Sequence, residues 1–200
     1  MTKIPIGLMY LRLVLGFIIL LLSYSHFSSF RIIIVVLIIL GLLTDIFDGI
    51  IARRLNISSQ RLRRMDSSID QVFWICTLIG SIIICTDFFV INWVKLTILL
   101  TFECLTYLVS FVKFKKEVAT HAILSKIWTL TIMGALIQVV LTCQSLILFD
   151  ICFYLGVLTR IEIIGILLIL KEWTSDVPGL YHAVLLRQGR KIKRNKLFNG

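Results

Sequence analysis

The chain has 200 residues, 58% of them hydrophobic and only 16% charged, whereas soluble domains carry about a quarter charged residues. Apolar runs of roughly the 20 residues needed to cross a bilayer recur along its whole length. A soluble core of this size could not bury them, so the membrane is their expected solvent. The net charge of +10 sits at the flanks of these runs, as in loops on the cytoplasmic side of a membrane, and nucleic-acid binding is not expected.

Six spans are predicted, near 5–26, 30–51, 67–90, 92–112, 127–148 and 150–171. Pro5 suits the start of the first, where its missing N–H costs nothing. Lys3 ahead of an apolar run resembles a signal peptide. However, Arg12 interrupts the run, and Ser23-Tyr24-Ser25-His26 is a poor cleavage site, so a retained helix is expected. The loop between the second and third spans carries Arg53, Arg54, Arg61, Arg63 and Arg64, and that between the fourth and fifth carries Lys113, Lys115, Lys116 and Lys126. The stretch Thr86–Asn92 and the turn near Phe149-Asp150 hold no Lys or Arg, and Lys95 is a mild exception. This alternation predicts an all-α, six-helix integral membrane protein with both termini cytoplasmic, in the inner membrane if the source is bacterial. A transmembrane domain over 1–175 is expected, followed by a basic tail over 176–200. Pro178-Gly179 breaks the chain before the tail, and Tyr181–Lys196 reads equally as an interfacial helix or a cytosolic segment.

Minor polar features have ordinary readings. Cys76, Cys85, Cys104, Cys143 and Cys152 lie in or beside apolar runs without C-x-x-C spacing and read as small hydrophobes rather than a disulfide frame or zinc site. Trp74, Trp93, Trp128 and Trp173 fall near span ends, as interfacial anchors do. His26, His121 and His182 share no ligand spacing. Glu103 in the fourth span and Arg160 in the sixth are expected to pair across helices, since unpaired charges there are expensive. Glu162, two residues from Arg160, should point to nearly the opposite side.

The chemistry is concentrated in Thr44-Asp45-Ile46-Phe47-Asp48-Gly49-Ile50-Ile51-Ala52-Arg53 and in Asp66-Ser67-Ser68-Ile69-Asp70. At helical pitch Asp45 and Asp48 lie about 60° apart and Asp66 and Asp70 about 40° apart, so each pair leaves one helix face. The first pair ends span two and the second begins span three. Adjacent antiparallel helices would bring four carboxylates together at one depth. Such a group needs positive charge to hold it. Divalent cations take carboxylate oxygens, Mg²⁺ commonly together with phosphate oxygens. Acids inside an apolar run are functional by default. Gly49 would admit a ligand close to the backbone, and Arg53 would neutralise phosphate charge.

These residues resemble the CDP-alcohol phosphatidyltransferases, whose pattern is D-x-x-D-G-x-x-A-R-x8-G-x3-D-x3-D. Seven of its eight fixed positions are matched, by Asp45, Asp48, Gly49, Ala52, Arg53, Asp66 and Asp70. At about one in fifteen per residue type, that has a chance probability on the order of 10⁻⁸. Pro5, Leu8 and Arg12 are similar to the family's P-N-x-L-T-x-x-R signature, and Ser125-Lys126 with Thr129 to its G-K-x-K-T segment. The resemblance implies two divalent ions, Mg²⁺ or Mn²⁺, held by Asp45, Asp48 and Asp66 with Asp70 sharing. It implies Asp70 as general base, and Gly49, Ala52 and Arg53 at the cytidine-diphosphate site, with Arg12 and Lys126 as further substrate-binding residues. It implies transfer of a phosphatidyl group from CDP-diacylglycerol to a small alcohol with release of CMP, at the cytoplasmic face, by a homodimer among membrane lipids. Leu62 stands where the family has its second glycine, and Ile6 and Met9 replace the Asn and Thr of the N-terminal signature. An inactive lipid-binding or scaffold relative, a CDP-amino-alcohol:diacylglycerol phosphotransferase, and an ion transporter are the alternative readings. A phosphorylated acceptor would call on Lys126 and the Lys113–Lys116 cluster.

Overall fold

Every regular element among the described residues is helical. The computed structural model describes all residues except 1–2, 26–28, 55–59, 117, 119, 121, 146, 176 and 191–200, and leaves out the side chains at 3–4, 52–54, 60–64 and 67. The helices are α1 (Lys3–Leu22), α2 (Phe30–Arg54), α3 (Gln60–Ile84), α4 (Thr86–Ile91), α5 (Trp93–Phe114), α6 (Ile123–Thr142), α7 (Ile147–Ile169) and α8 (Leu180–Arg187). Five contain stretches long and apolar enough to cross a membrane: Pro5–Leu22, Phe30–Ile51, Trp93–Phe114, Ile123–Thr142 and Ile147–Ile169. The third expected span differs. Its apolar part is the shorter stretch Ser68–Ile84, because the helix breaks at Cys85 and restarts as α4.

The contacts divide the chain into two units, Met1–Ile91 with Leu136–Ser145, and Asn92–Ala135 with Leu146–Gly200. In the first, α1 packs extensively on both α2 and α3, while α2 and α3 meet each other sparingly. The buried stripe of α1 runs Met9, Arg12, Leu15, Gly16, Ile19, the three-and-four spacing of one helix face. On α2 it runs Ile34, Ile38, Gly41, Thr44, Asp48, and on α3 Ile69, Phe73, Cys76, Thr77, Gly80, Ser81. Lipid is as apolar as leucine, so helix association in a bilayer depends on close packing at small residues. Phe73 shows this: a Cβ on Gly16 would lie 3.2 Å from its Cα, and one on Gly41 would strike its ring. Thr44, Thr77 and Ser81 return their hydroxyls to carbonyls of their own helices at 2.7, 2.9 and 2.8 Å, so none of these buried donors is left unsatisfied in the helix interface. The opposite faces present large apolar residues, such as Leu21, Ile32, Phe47 and Ile75, to the outside.

Cys85 and Cys143 form a disulfide in this unit, with Cα atoms 5.1 Å apart. This corrects the reading of all five cysteines as unlinked hydrophobes. Cys76, Cys104 and Cys152 are free. The partners are 58 residues apart, and no local spacing reports a bridge that only the fold brings together.

In the second unit α5 packs on α7, and α7 on α8. Ile163, Ile166, Leu167, Leu170, Val177 and Ala183 form its buried core with Ala122. The segment after α7 therefore folds back, and Ala183 brings α8 into the packing rather than leaving 180–187 as a free tail. Lys113 donates to the carbonyls of Leu167 and Leu168 at 2.9 and 2.7 Å, satisfying the open C-terminal turn of α7 with a cation. Lys116 lies 4.7 Å from the Trp173 ring. Lys95, the exception to the charge alternation, pairs with Asp150 at 2.5 Å. Trp128 is an internal contact as much as an anchor: its indole N–H donates to the Cys152 carbonyl at 3.0 Å, and Arg160 stacks 4.7 Å above its ring.

Candidate functional site

The first unit gathers Asp45 and Asp48 from α2 and Asp66 and Asp70 from α3 around one side chain of α1, Arg12. Its Nη1 lies 3.0 Å from Asp45 Oδ1 and 3.2 Å from Asp66 Oδ1 and also pairs with Asp70 Oδ1, while its Nη2 pairs with Asp48 Oδ2. The expected convergence of four acids is present, but by a different route from the one expected. Direct contact of α2 with α3 was to bring them together; instead α1 stands between the two helices and supplies the residue on which they meet.

Burial grades the carboxylates. Asp48 is 1% exposed, Asp66 and Asp70 about 30%, and Asp45 41%, so the group opens from a closed floor at Asp48 to a mouth at Asp45. Oxygens of Asp45, Asp48 and Asp66 lie within 4.8 Å of one another. Asp48 Oδ1 is buried and has no hydrogen-bond partner among the described residues. A buried carboxylate oxygen with nothing to accept from is costly, and hard oxygens clustered at this spacing are the donor set that Mg²⁺ or Mn²⁺ prefers. The residues present therefore fit a divalent ion. With one guanidinium against four carboxylates, the five groups have a net formal charge of −3.

Of the other expected site residues, Gly49 follows Asp48 on α2 and is half-buried. Ala52 and Arg53 occupy the last turn of α2, and their side chains, like that of Leu62, lie outside the described residues. Lys126 is exposed in the first turns of α6, in the second unit. Just ahead of it the Ile123 N–H donates to the Pro178 carbonyl at 3.1 Å. Arg12 was expected to bind substrate, and its place at the centre of the carboxylates was not foreseen. The signal was available: it falls in register with Met9, Leu15 and Ile19 on the apolar stripe of α1, where a charge must find partners inside the protein.

A second charged group occupies the other unit. Arg160 pairs with Glu103, as expected from the cost of isolated charges. Glu162 leaves α7 elsewhere, and its Oε1 lies 3.1 Å from where a Cβ on Gly179 would sit.

The family model for CDP-alcohol phosphatidyltransferase matches residues 2–170, from the first helix through the end of α7. No curated protein and no solved structure matches the chain.

Proposed function

The chain belongs to the CDP-alcohol phosphatidyltransferase family, and from that membership we propose that it transfers a phosphatidyl group from CDP-diacylglycerol to a small alcohol and releases CMP. The observation that carries the reading is the set of four carboxylates closing on one point, with a buried, unpartnered oxygen on Asp48. Asp45, Asp48, Asp66 and Asp70 would hold two divalent ions, Mg²⁺ or Mn²⁺, which when bound supply charge neutralisation at the transferring phosphate.

Asp70, partly open to the outside, takes the acceptor's hydroxyl proton as general base. The acceptor oxygen then bonds to the lipid-side phosphorus. The bond from that phosphorus to the CMP oxygen breaks, and CMP leaves with the electron pair. Gly49, Ala52 and Arg53, on the turn that follows Asp48, line the cytidine-diphosphate site. The apolar Ser68–Ile84 stretch of α3 makes the sixth span, both termini face the cytoplasm, and the aspartate end of α2 and α3 opens to that side, where a lipid donor enters laterally and a polar alcohol enters from water. A homodimer is the proposed assembly.

The test is CMP release by the purified chain with CDP-diacylglycerol and a panel of alcohols, with and without Mg²⁺. Metal-dependent release that Asp70→Asn lowers by on the order of 10²–10⁴-fold supports the reading. Release from no donor in the panel would leave a lipid-binding or scaffold role instead, and release only from a CDP-amino-alcohol with diacylglycerol would reassign donor and acceptor.

A further inference from the structure

We infer that Arg12 is a built-in counter-cation that holds the four aspartates together when no divalent ion is bound and competes with that ion for the same carboxylates. The inference rests on the divalent-site reading above and concerns what the chain does before the site is loaded.

Arg12 is 1% exposed and lies on the packed stripe of a spanning helix. A guanidinium does not relieve its burial by losing a proton, so its charge is permanent and must be met by carboxylates. The converse also holds: four carboxylates around one point repel one another unless a cation stands among them. All four reach the Arg12 guanidinium, three of them through the single atom Nη1. Its Nε is buried without a hydrogen-bond partner among the described residues, so the side chain is committed to the carboxylates by its tip alone. Asp45, Asp48 and Asp66, whose oxygens are close enough to share an ion, are all partners of Arg12. An incoming divalent ion must therefore share or displace guanidinium contacts. Arg12 offsets the mutual repulsion of the carboxylates, and it weakens their affinity for metal.

The test compares full-length wild type, Arg12→Lys, Arg12→Gln and the double variant Arg12→Gln/Asp70→Asn, each stripped of metal and titrated with Mn²⁺ while thermal unfolding is followed in detergent. The expected result is a lower metal-free Tm for Arg12→Gln and a half-saturating Mn²⁺ concentration reduced by on the order of tenfold. Arg12→Lys, which keeps the charge, should stay close to wild type. The double variant, with one carboxylate neutralised, should regain part of the metal-free Tm. Recovery of folded Arg12→Gln only in the presence of Mn²⁺, with the double variant recoverable without it, is the strong form of the same result. A half-saturating concentration for Arg12→Gln equal to or above wild type overturns the inference, as does failure of Arg12→Gln to fold even with Mn²⁺. Wild type that does not respond to Mn²⁺ at all removes the divalent site itself; a responding wild type with an unchanged Arg12→Gln response removes only the role given to Arg12.

Discussion

Breaking the Cys85–Cys143 bridge should destabilise the protein measurably and should also report which face of the membrane the aspartates occupy. The bridge joins residues 58 apart and encloses α4, α5 and α6. The chain-entropy relation gives roughly 4 kcal/mol for a loop of that length. Helices that persist in the unfolded state within a membrane leave fewer torsions to restrict, so about 2 kcal/mol is expected for Cys85→Ser/Cys143→Ser. In a chain of this size that lowers Tm by about 4–8 °C, and a reductant should lower wild type equally while leaving the double variant unchanged. Thiol counting provides the direct assay. Denatured, unreduced protein should take up polymer-linked maleimide at the three free cysteines, Cys76, Cys104 and Cys152, and all five only after reduction. Five reactive thiols without reductant, or a reductant-insensitive Tm, would refute the bridge. Its sidedness follows from α3, which runs from Gln60 to Ile84: at 1.5 Å per residue Asp66 lies roughly 27 Å from the end beside Cys85. Disulfides persist in oxidising compartments, so a bridge that forms in cells puts the cysteine end away from the cytoplasm and the aspartate end toward it. That outcome would test the proposed orientation independently of the loop charges.

The Glu103–Arg160 pair should behave as a unit: Glu103→Gln or Arg160→Met alone should cost roughly 3 kcal/mol by stranding a charge, and the double variant should cost less than the sum in a thermal-unfolding cycle. Strictly additive losses would mean that the two charges act separately. Gly41→Ala, which drives a methyl into the Phe73 ring, should destabilise by about 1–3 kcal/mol, and Phe73→Leu in the same chain should recover part of that; an unchanged Tm for Gly41→Ala would show that α2 and α3 do not close on each other there. Asp48→Asn, which neutralises the floor of the carboxylate group, should abolish Mn²⁺-dependent stabilisation along with CMP release, and retention of both would move the ion elsewhere.

Composition and spacing alone determined the medium this chain folds in, because a run of apolar residues carries its free energy of transfer whatever its neighbours do. They placed five spans to within several residues, and they put Asp45 with Asp48 and Asp66 with Asp70 on shared faces, since acids at three- and four-residue spacing leave one helix face in any helix. The pairing of Glu103 with Arg160 was legible for the same reason, as each charge is too costly in a bilayer to stand alone. What depended on packing was not legible. The Cys85–Cys143 link, the use of Lys113 to close the end of α7 and the insertion of α1 between α2 and α3 all join residues distant in the chain. Arg12 shows the division most clearly. Its type and helical register required partners inside the protein, but that those partners were all four aspartates was decided only when three helices closed on one another.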